Sequence, residues 1–528
     1  MGSGPLRTGE SDSSGGSAKA WLEQHPGSTL AALLVLAAVV RVVRWQVTAA
    51  MFNDGPVFLA IAQAMEAGEW SNALGHPFHP LYPAAIAAFH LVIPDWEVAA
   101  VTVSVLSGTI AVACLWGFVH AAFGPVEAAL AGLLLAVHSL AIEYSGDIQS
   151  EGLYLALFLA AAWVLWRALD ERSPALAGLG GLLSGAAYLA RPEGLGIAMV
   201  GAGIAASRGL RGSWPSRLTA GWLAALMLGS GLCVAPYLGW LRFDQGEWSL
   251  SGKKSIGVVT GVVADPHRGP DPLAPEPLQR DAARLESPQE ELSSRDKLSA
   301  GFGELVRTHV RTFRYEILVL LLAAALLSVR PPLGTRGAFV LAVGSFYALL
   351  ALGLATNVGY LSARHVFPGV TLTFGYAALG LLALSALLGG SSTARVRGIA
   401  RLLVVLVVAI GLGKALNPDR LDSLAERRAA EWLAAQRIEV GAVAARKRRV
   451  AYYARAPWVK LATAAFPAGL RQLGATHLIL NEEDWADYGY LRALEPPQAR
   501  LLHRTEAAGE KALVFELLAG IERAPADR

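Results

Sequence analysis

Apolar stretches long enough to cross a bilayer recur from about residue 28 to residue 415. This constrains the fold more than any other feature. A helix needs about 20 such residues to span the roughly 30 Å hydrocarbon layer, and a helix satisfies its own backbone there. Spans are expected at about 28–47, 98–118, 126–141, 150–167, 175–190, 194–207, 218–240, 312–329, 337–355, 367–388 and 399–415, about eleven in all. Composition agrees. Of 528 residues, 54% are hydrophobic and only 16% charged, where a soluble chain of this size carries more charge. The net charge of +3 is too small to imply a nucleic-acid partner. Cys114 and Cys233 both fall in apolar spans, so neither a disulfide framework nor a metal-thiolate site is indicated.

Orientation follows from the basic residues. With the N-terminus inside, the inner segments hold Arg7 and Lys19; Arg167 and Arg172; Arg208, Arg211 and Arg217; Arg330 and Arg336; and Arg395, Arg397 and Arg401. The short outer loops hold little more than Arg191 and Arg364. From Gln46 to Glu97 there is no Lys or Arg, and the charges are Asp54, Glu66, Glu69, Asp95 and Glu97. An odd number of spans then places the C-terminus outside. Residues 1–27, rich in Ser and Gly, read as a disordered cytoplasmic tail. No small-residue cleavage site follows the first span, which is expected to be an anchor. Residues 28–415 form the expected membrane domain, with large outer loops at 48–97 and 241–311. Within the first, an amphipathic piece at 56–68 and an apolar piece at 83–93 are expected to lie along the membrane surface. Residues 416–528 change character. A helical "LDSLAERRAAEWLAAQ" is followed by strand-like "RRVAYYA", "THLILNE" and "ALVFELL", which suggests a small α/β periplasmic domain. The expected fold class is therefore mainly α: a polytopic helical bundle with a small C-terminal α/β unit.

Charge near the bilayer is costly, about 2.5–3.5 kcal/mol at a helix centre, so polar residues at the outer span ends call for a function. They are Asp54, His76, His79, Glu143, Asp147, Glu151, Arg191, Glu193, Lys253, Lys254, Tyr360, Arg364 and His365. Acids and bases from separate loops on one membrane face suit a reaction between a lipid-phosphate donor and a polar acceptor. Each has a structural alternative. Asp54 precedes Gly55-Pro56 and is a good helix N-cap. Glu151 opens a span, where a carboxylate suits the helix dipole. Arg191 can snorkel at a span end. "HPFHPLYP" is a rigid turn, and its histidines do not have the spacing of a helical metal motif. Arg41 and Arg44 run against the positive-inside trend, which favours a task such as holding phosphate.

These pieces, in this order, resemble the membrane-embedded GT-C glycosyltransferases, in particular the bacterial branch related to protein O-mannosyltransferases and aminoarabinose transferases. The matching features are Arg41 and Arg44 ending the first span, Asp54, "HPFHPLYP", "FGPVEAALAGLLLAVHSLAIEYSGDIQSEGLYLALFLAA" with Glu151 at a recurrent Glu, "GLLSGAAYLARPEGL" and "YLSARHVFPG". The resemblance covers roughly residues 28–415. It implies inverting transfer of a sugar from a polyprenyl-phosphate donor to a periplasmic glycan, lipid or protein acceptor, at a bacterial inner membrane. It implies Asp54 as general base and Glu151 as a second catalytic acid. Arg364 and Arg191 are candidates for the donor phosphate, with Lys253 and Lys254 behind them. His76, His79, Tyr82, Tyr360 and His365 are candidates for the acceptor or sugar pocket. Many relatives carry a second acid directly after the first-loop Asp, where this chain has Gly55. Its place would fall to Glu151 or Asp147, and a divalent metal is left open. The chain has no G-x-G-x-x-G before a strand and no P-loop for a soluble nucleotide. The competing classes are a transporter or flippase of lipid-linked sugars and a non-catalytic membrane scaffold. Against transport stand the absence of internal repeats and of charge in mid-span.

Overall fold

The computed structural model describes residues 21–246, 248–250, 294–327, 335–357, 361–436, 438, 440–461, 470–471, 473–481 and 499–518. Every expected span coincides with helix. In chain order the helices are α1 Pro26–Val47, then α2 Gly55–Glu66, α3 Trp70–Leu74 and α4 Leu81–His90 in the segment between the first two long helices, then α5 Trp96–Ala122, α6 Pro125–Val137, α7 Ser139–Ser145, α8 Glu151–Asp170, α9 Pro174–Ala190, α10 Gly196–Leu210, α11 Ser216–Gln245, α12 Ser294–Leu327, α13 Thr335–Asn357, α14 Ala363–Thr371, α15 Phe374–Gly389 and α16 Thr393–Ala415.

Among the described residues six helices (α1, α5, α8, α11, α13 and α16) are long and apolar enough to cross a bilayer alone. Two bent pairs raise this to eight: α6 with α7, at 58°, and α14 with α15, at 63°. The other three expected spans fall on α9 (17 residues), α10 (15 residues) and α12, which is broken where Arg314 takes φ 49°. Prolines begin α1, α6 and α9, where a missing N–H costs nothing. Asp95, Ser173 and Ser392 cap the amides of Val98, Leu176 and Arg395.

Helices α9 and α11 meet backbone to backbone. A Cβ on Gly181 would lie 2.3 Å from the Leu226 carbonyl oxygen, and one on Gly229 would lie 2.1 Å from that of Gly178. Between helices in lipid, contact of this kind replaces the hydrophobic effect as the source of cohesion. It also fixes the end of α9, from which the chain turns into the candidate site.

Arg41 and Arg44 are engaged by the protein itself. Arg41 is fully buried; its Nε donates to Ser145 Oγ (2.7 Å) and its Nη1 to the Ala37 carbonyl (2.9 Å). Arg44 donates to the carbonyls of Ala415 and Asn417 (both 2.9 Å) and to Asp419 Oδ2 (2.6 Å). They tie α1 to α7 and to the chain leaving α16.

Beyond α16 come α17 Leu424–Ala435, β1 Ala442–Ala445, α18 Arg448–Tyr453, β2 Trp458–Lys460, β3 Ala475–Asn481, β4 Ala499–Ala507 and β5 Glu510–Leu517. The strands form one mixed sheet in the order β2-β1-β3-β5-β4. β1 is parallel to β2 and β3, and β5 is antiparallel to β3 and β4. "THLILNE" and "ALVFELL" fall on β3 and β5 as expected. "RRVAYYA" is a correction, because it forms α18. Its buried residues Val450, Ala451 and Ala454 recur at helical spacing, and packing on the sheet overrides its β propensity. The unit is not separate from the membrane part. Ala425, Leu433, Val443, Val450 and Val514 share one apolar core with Met51, Phe58, Leu59, Ile86 and Ile148.

A Leu at Gly181 must push α11 away. Gly181→Leu is expected to cost about 1–3 kcal/mol and to lower the melting temperature in detergent. Gly231→Leu, also on α11 but with nothing within 4 Å of its Cβ position, is expected to melt like the wild type.

Candidate active site

A cavity of about 290 Å³ lies where α8 begins, α9 ends and α14 begins, roofed by the segment between α1 and α5. Its wall carries Asp54, His79, Glu151, Arg191, Glu193, Arg364 and His365, with Phe52, Phe58 and Phe78 as apolar surface. Residues up to 313 positions apart in sequence are thereby brought together at one end of the bundle.

Asp54 stands at the N-cap position of α2, yet its side chain makes no cap hydrogen bond. Its backbone carbonyl accepts from the amides of Val57 and Phe58 instead. Its carboxylate is 31% exposed and lies 3.7 Å from Arg364 Nη1. The helix does not use this carboxylate.

Glu151 is the first residue of α8 and only 8% exposed. Oε1 receives Arg191 Nη1 at 2.6 Å and Arg364 Nη1 at 3.4 Å. Arg191 also faces Glu193 Oε1 at 3.5 Å and lies over the Tyr154 ring at 5.9 Å. Burial opposes ionisation of Glu193, but Arg191 and then His365 more than offset this, holding its carboxyl low, at about 2. Arg191 is buried too, which works against its charge; Glu193 and Glu151 raise its pKa above the ordinary value.

The turn holding Arg191 and Glu193 is built tightly. Ser184 Oγ donates to the Gly194 carbonyl (2.8 Å), and the Tyr347 hydroxyl donates to the Glu193 carbonyl (2.7 Å). A Cβ on Gly194 would meet the Ala187 carbonyl carbon at 2.2 Å, so only glycine folds back there. Arg364 is more exposed. Its Nε donates to Ser362 Oγ (3.2 Å), and its guanidinium lies over the Phe52 ring at 5.6 Å. His365 Nδ1 accepts from the Ser362 amide (3.2 Å).

His79, on the cavity wall, is buried against Tyr188 and Tyr237, with ring centroids at 5.1 and 5.3 Å. The remaining expected residues lie elsewhere. His76 is not on the cavity wall; its ring stacks on Phe78, whose amide donates to its Nδ1 (3.3 Å). Tyr82 is corrected from pocket to core. It is fully buried behind Phe58, and its hydroxyl is 2.7 Å from Ser104 Oγ. Asp147, weighed as a second acid, also lies off this cavity, bound by Arg420 at 2.5 Å. Lys253, Lys254 and Tyr360 lie outside the described residues. Sequence reasoning missed the three phenylalanines and Gln149. Among the described residues Gln149 Nε2, Arg191 Nε and Glu193 Oε2 are buried without a hydrogen-bond partner, and all three belong to the cavity wall. Buried polar atoms of this kind need a partner beyond the protein's own groups, a water or a ligand. Among the described residues no three His, Cys, Asp or Glu side chains meet in a metal-holding group.

Two crystal structures of ArnT from Cupriavidus metallidurans share this architecture along almost the whole chain. The complex with undecaprenyl phosphate matches at a TM-score of 0.56 and 12% identity, covering 94% of this chain and 98% of that one. The apo form matches at 0.57 and 13%, covering 92% and 97%. The chain has the GT-C fold. Residues 75–240 also match the family model described as dolichyl-phosphate-mannose-protein mannosyltransferase. That segment holds His79, Glu151, Arg191 and Glu193. No curated protein matches the sequence. The GT-C resemblance drawn from the motifs is borne out.

The geometry separates the two acids. Asp54→Ala is expected to melt within about 0.5 kcal/mol of the wild type, because it removes no cap and only a long, half-exposed ion pair. Glu151→Ala leaves Arg191 buried without its nearest anion, a loss of about 3–5 kcal/mol. Thermal melting of the two variants in detergent measures both.

Proposed function

We propose that the protein is an inverting glycosyltransferase that takes a sugar from a polyprenyl-phosphate donor. The acceptor is a glycan, lipid or protein on the periplasmic side of a bacterial inner membrane, with the N-terminus cytoplasmic and the C-terminus periplasmic. One observation carries the proposal: Asp54, a carboxylate that its helix does not use as a cap, lies 3.7 Å from a guanidinium, Arg364, on the wall of one polar cavity at the ends of the spans. The likeness to a fold crystallised with undecaprenyl phosphate supports a lipid-phosphate donor.

In this mechanism the acceptor hydroxyl gives its proton to Asp54 as its oxygen attacks the anomeric carbon. The bond from that carbon to the phosphate oxygen breaks on the opposite face, and the lipid phosphate leaves with the electron pair. A positioned base of this kind supplies about 10²–10⁴-fold. Arg364 stabilises the charge that develops on the phosphate, and its fork suits two phosphate oxygens. Arg191, clamped between Glu151 and Glu193, contributes through its field and holds Glu151 in place. Lys253 and Lys254 are weaker candidates for the phosphate. His79, His365 and the three phenylalanines line the space for the sugar and acceptor.

The direct test incubates the purified protein with radiolabelled undecaprenyl-phosphate mannose, glucose and aminoarabinose together with a bacterial cell-envelope extract that supplies glycan, lipid and protein acceptors, and asks whether label leaves the lipid. Release from one of them is expected, and release from none would refute the proposal. With the sugar that reacts, Asp54→Asn is expected to fold, to retain donor binding and to lose about 10²-fold or more in kcat. Turnover at the wild-type rate would remove Asp54 as the base. Arg364→Ala is expected to impair donor use more than Arg364→Lys, which keeps charge without the fork. Equal, wild-type kinetics in both would remove Arg364 from the site.

A further inference from the structure

The chain between α1 and α2 carries Asp54 at its end and has almost no regular structure of its own. Its backbone bonds run to the C-terminal unit instead. The Ala49 amide donates to the Asp419 carbonyl (3.1 Å), and the Ala49 carbonyl accepts from Arg427 Nη1 (3.0 Å). The Ala50 carbonyl accepts from Arg420 Nη1 (2.8 Å). The Met51 amide donates to the Tyr453 hydroxyl (2.9 Å), and its carbonyl accepts from Arg449 Nη1 (3.2 Å). The Phe52 amide donates to Asp147 Oδ1 (3.2 Å).

Arg420 joins these contacts. The same Nη1 that holds Ala50 also binds Asp147 Oδ2 at 2.5 Å, so one buried ion pair fixes both ends of the Ala50–Phe52 segment. The Phe52 ring also meets two guanidinium groups, that of Arg420 at 5.4 Å and that of Arg364, a residue of the cavity wall, at 5.6 Å. Four consecutive residues are gripped from outside the segment, and the grip ends two positions before Asp54. An unstructured linker needs no such grip merely to connect two helices.

We infer that Arg420 is a positioning residue: braced on Asp147, it sets the backbone from Ala50 to Phe52 and thereby the reach of the Asp54 carboxylate into the cavity. The inference rests on the proposed role of Asp54 as base. It makes the C-terminal unit part of the catalytic apparatus of the membrane domain. A shift of about 1 Å in a reacting group can cost on the order of 10²-fold, so loosening the segment should appear in kcat without loss of donor affinity.

The test uses the full-length protein and two readouts. Hydrogen–deuterium exchange is followed over peptides covering residues 46–58. Steady-state kinetics use the undecaprenyl-phosphate sugar that the wild type turns over. Arg420→Ala is expected to speed exchange at the Ala49, Met51 and Phe52 amides while α5 and α8 exchange as in the wild type. It is expected to lower kcat by about 10–10²-fold with little change in the donor KM. Combined with Asp54→Asn, it should cost nothing further in kcat, because it acts through Asp54. Multiplying losses in the double variant, or unchanged exchange in the single one, would overturn the inference. If Asp54→Asn alone turns over normally, the base assignment fails, while the exchange experiment still decides whether Arg420 holds the segment. Should Arg420→Ala not fold, Arg420→Lys serves in its place. A single ammonium can donate to both Ala50 and Asp147, so an intermediate loss in kcat and intermediate exchange are expected. Wild-type values in both readouts, or a loss that multiplies with Asp54→Asn, would count against the inference.

Discussion

The cavity is organised by one buried carboxylate. Glu151 opens α8 where the bundle ends, and it receives Arg191 and Arg364 on the same oxygen. A buried acid is tolerated only when paired, and so are buried guanidiniums. The three groups therefore stabilise one another's charge. Remove Glu151 and two cations face each other across a small cavity. The helix dipole at the start of α8 supports the same arrangement. The other groups of the site are disposed around this triad, with Glu193 on the second nitrogen of Arg191 and Asp54 beside the same Arg364 nitrogen that faces Glu151.

The two arginines are not equivalent. Arg191 sits between two carboxylates, with its turn secured by Ser184, Gly194 and Tyr347. Its geometry suits a fixed charge. Arg364 has longer contacts, greater exposure and an aromatic face beside it. Such a group is placed to meet an incoming phosphate. The division of labour in the proposed mechanism follows from this difference in how the two side chains are held.

Much of this was legible in the sequence because lipid makes the signal strong. Apolar runs of bilayer length marked the helices, and rare charges at their ends marked Asp54, Glu151, Arg191 and Arg364, which converge on one cavity. What was illegible shares a physical reason. Phe52, Phe58 and Phe78 look like any core residue until the cavity beside them is seen. Tyr82 next to "HPFHP" looked like pocket, but nothing local reveals that its hydroxyl turns inward to Ser104. Arg41 and Arg44 stood out correctly as anomalies. Their partners, Ser145 and the chain from Ala415 to Asp419, are more than 100 residues away and invisible to periodicity. Arg420, Arg427 and Arg449 read as ordinary surface charge, because their backbone acceptors in the first loop are set by tertiary packing alone. In "RRVAYYA" the local β preference yielded to the same packing.

The central claim is that this cavity receives the phosphate of a lipid-borne donor next to Asp54. A cryo-electron-microscopy structure of the protein with bound undecaprenyl phosphate tests it most directly. The account predicts phosphate density within hydrogen-bond distance of the Arg364 guanidinium, with the Asp54 carboxylate facing the side from which an acceptor would attack. Phosphate density at another place in the bundle, with Arg364 still resting on Glu151 and Asp54, would contradict it.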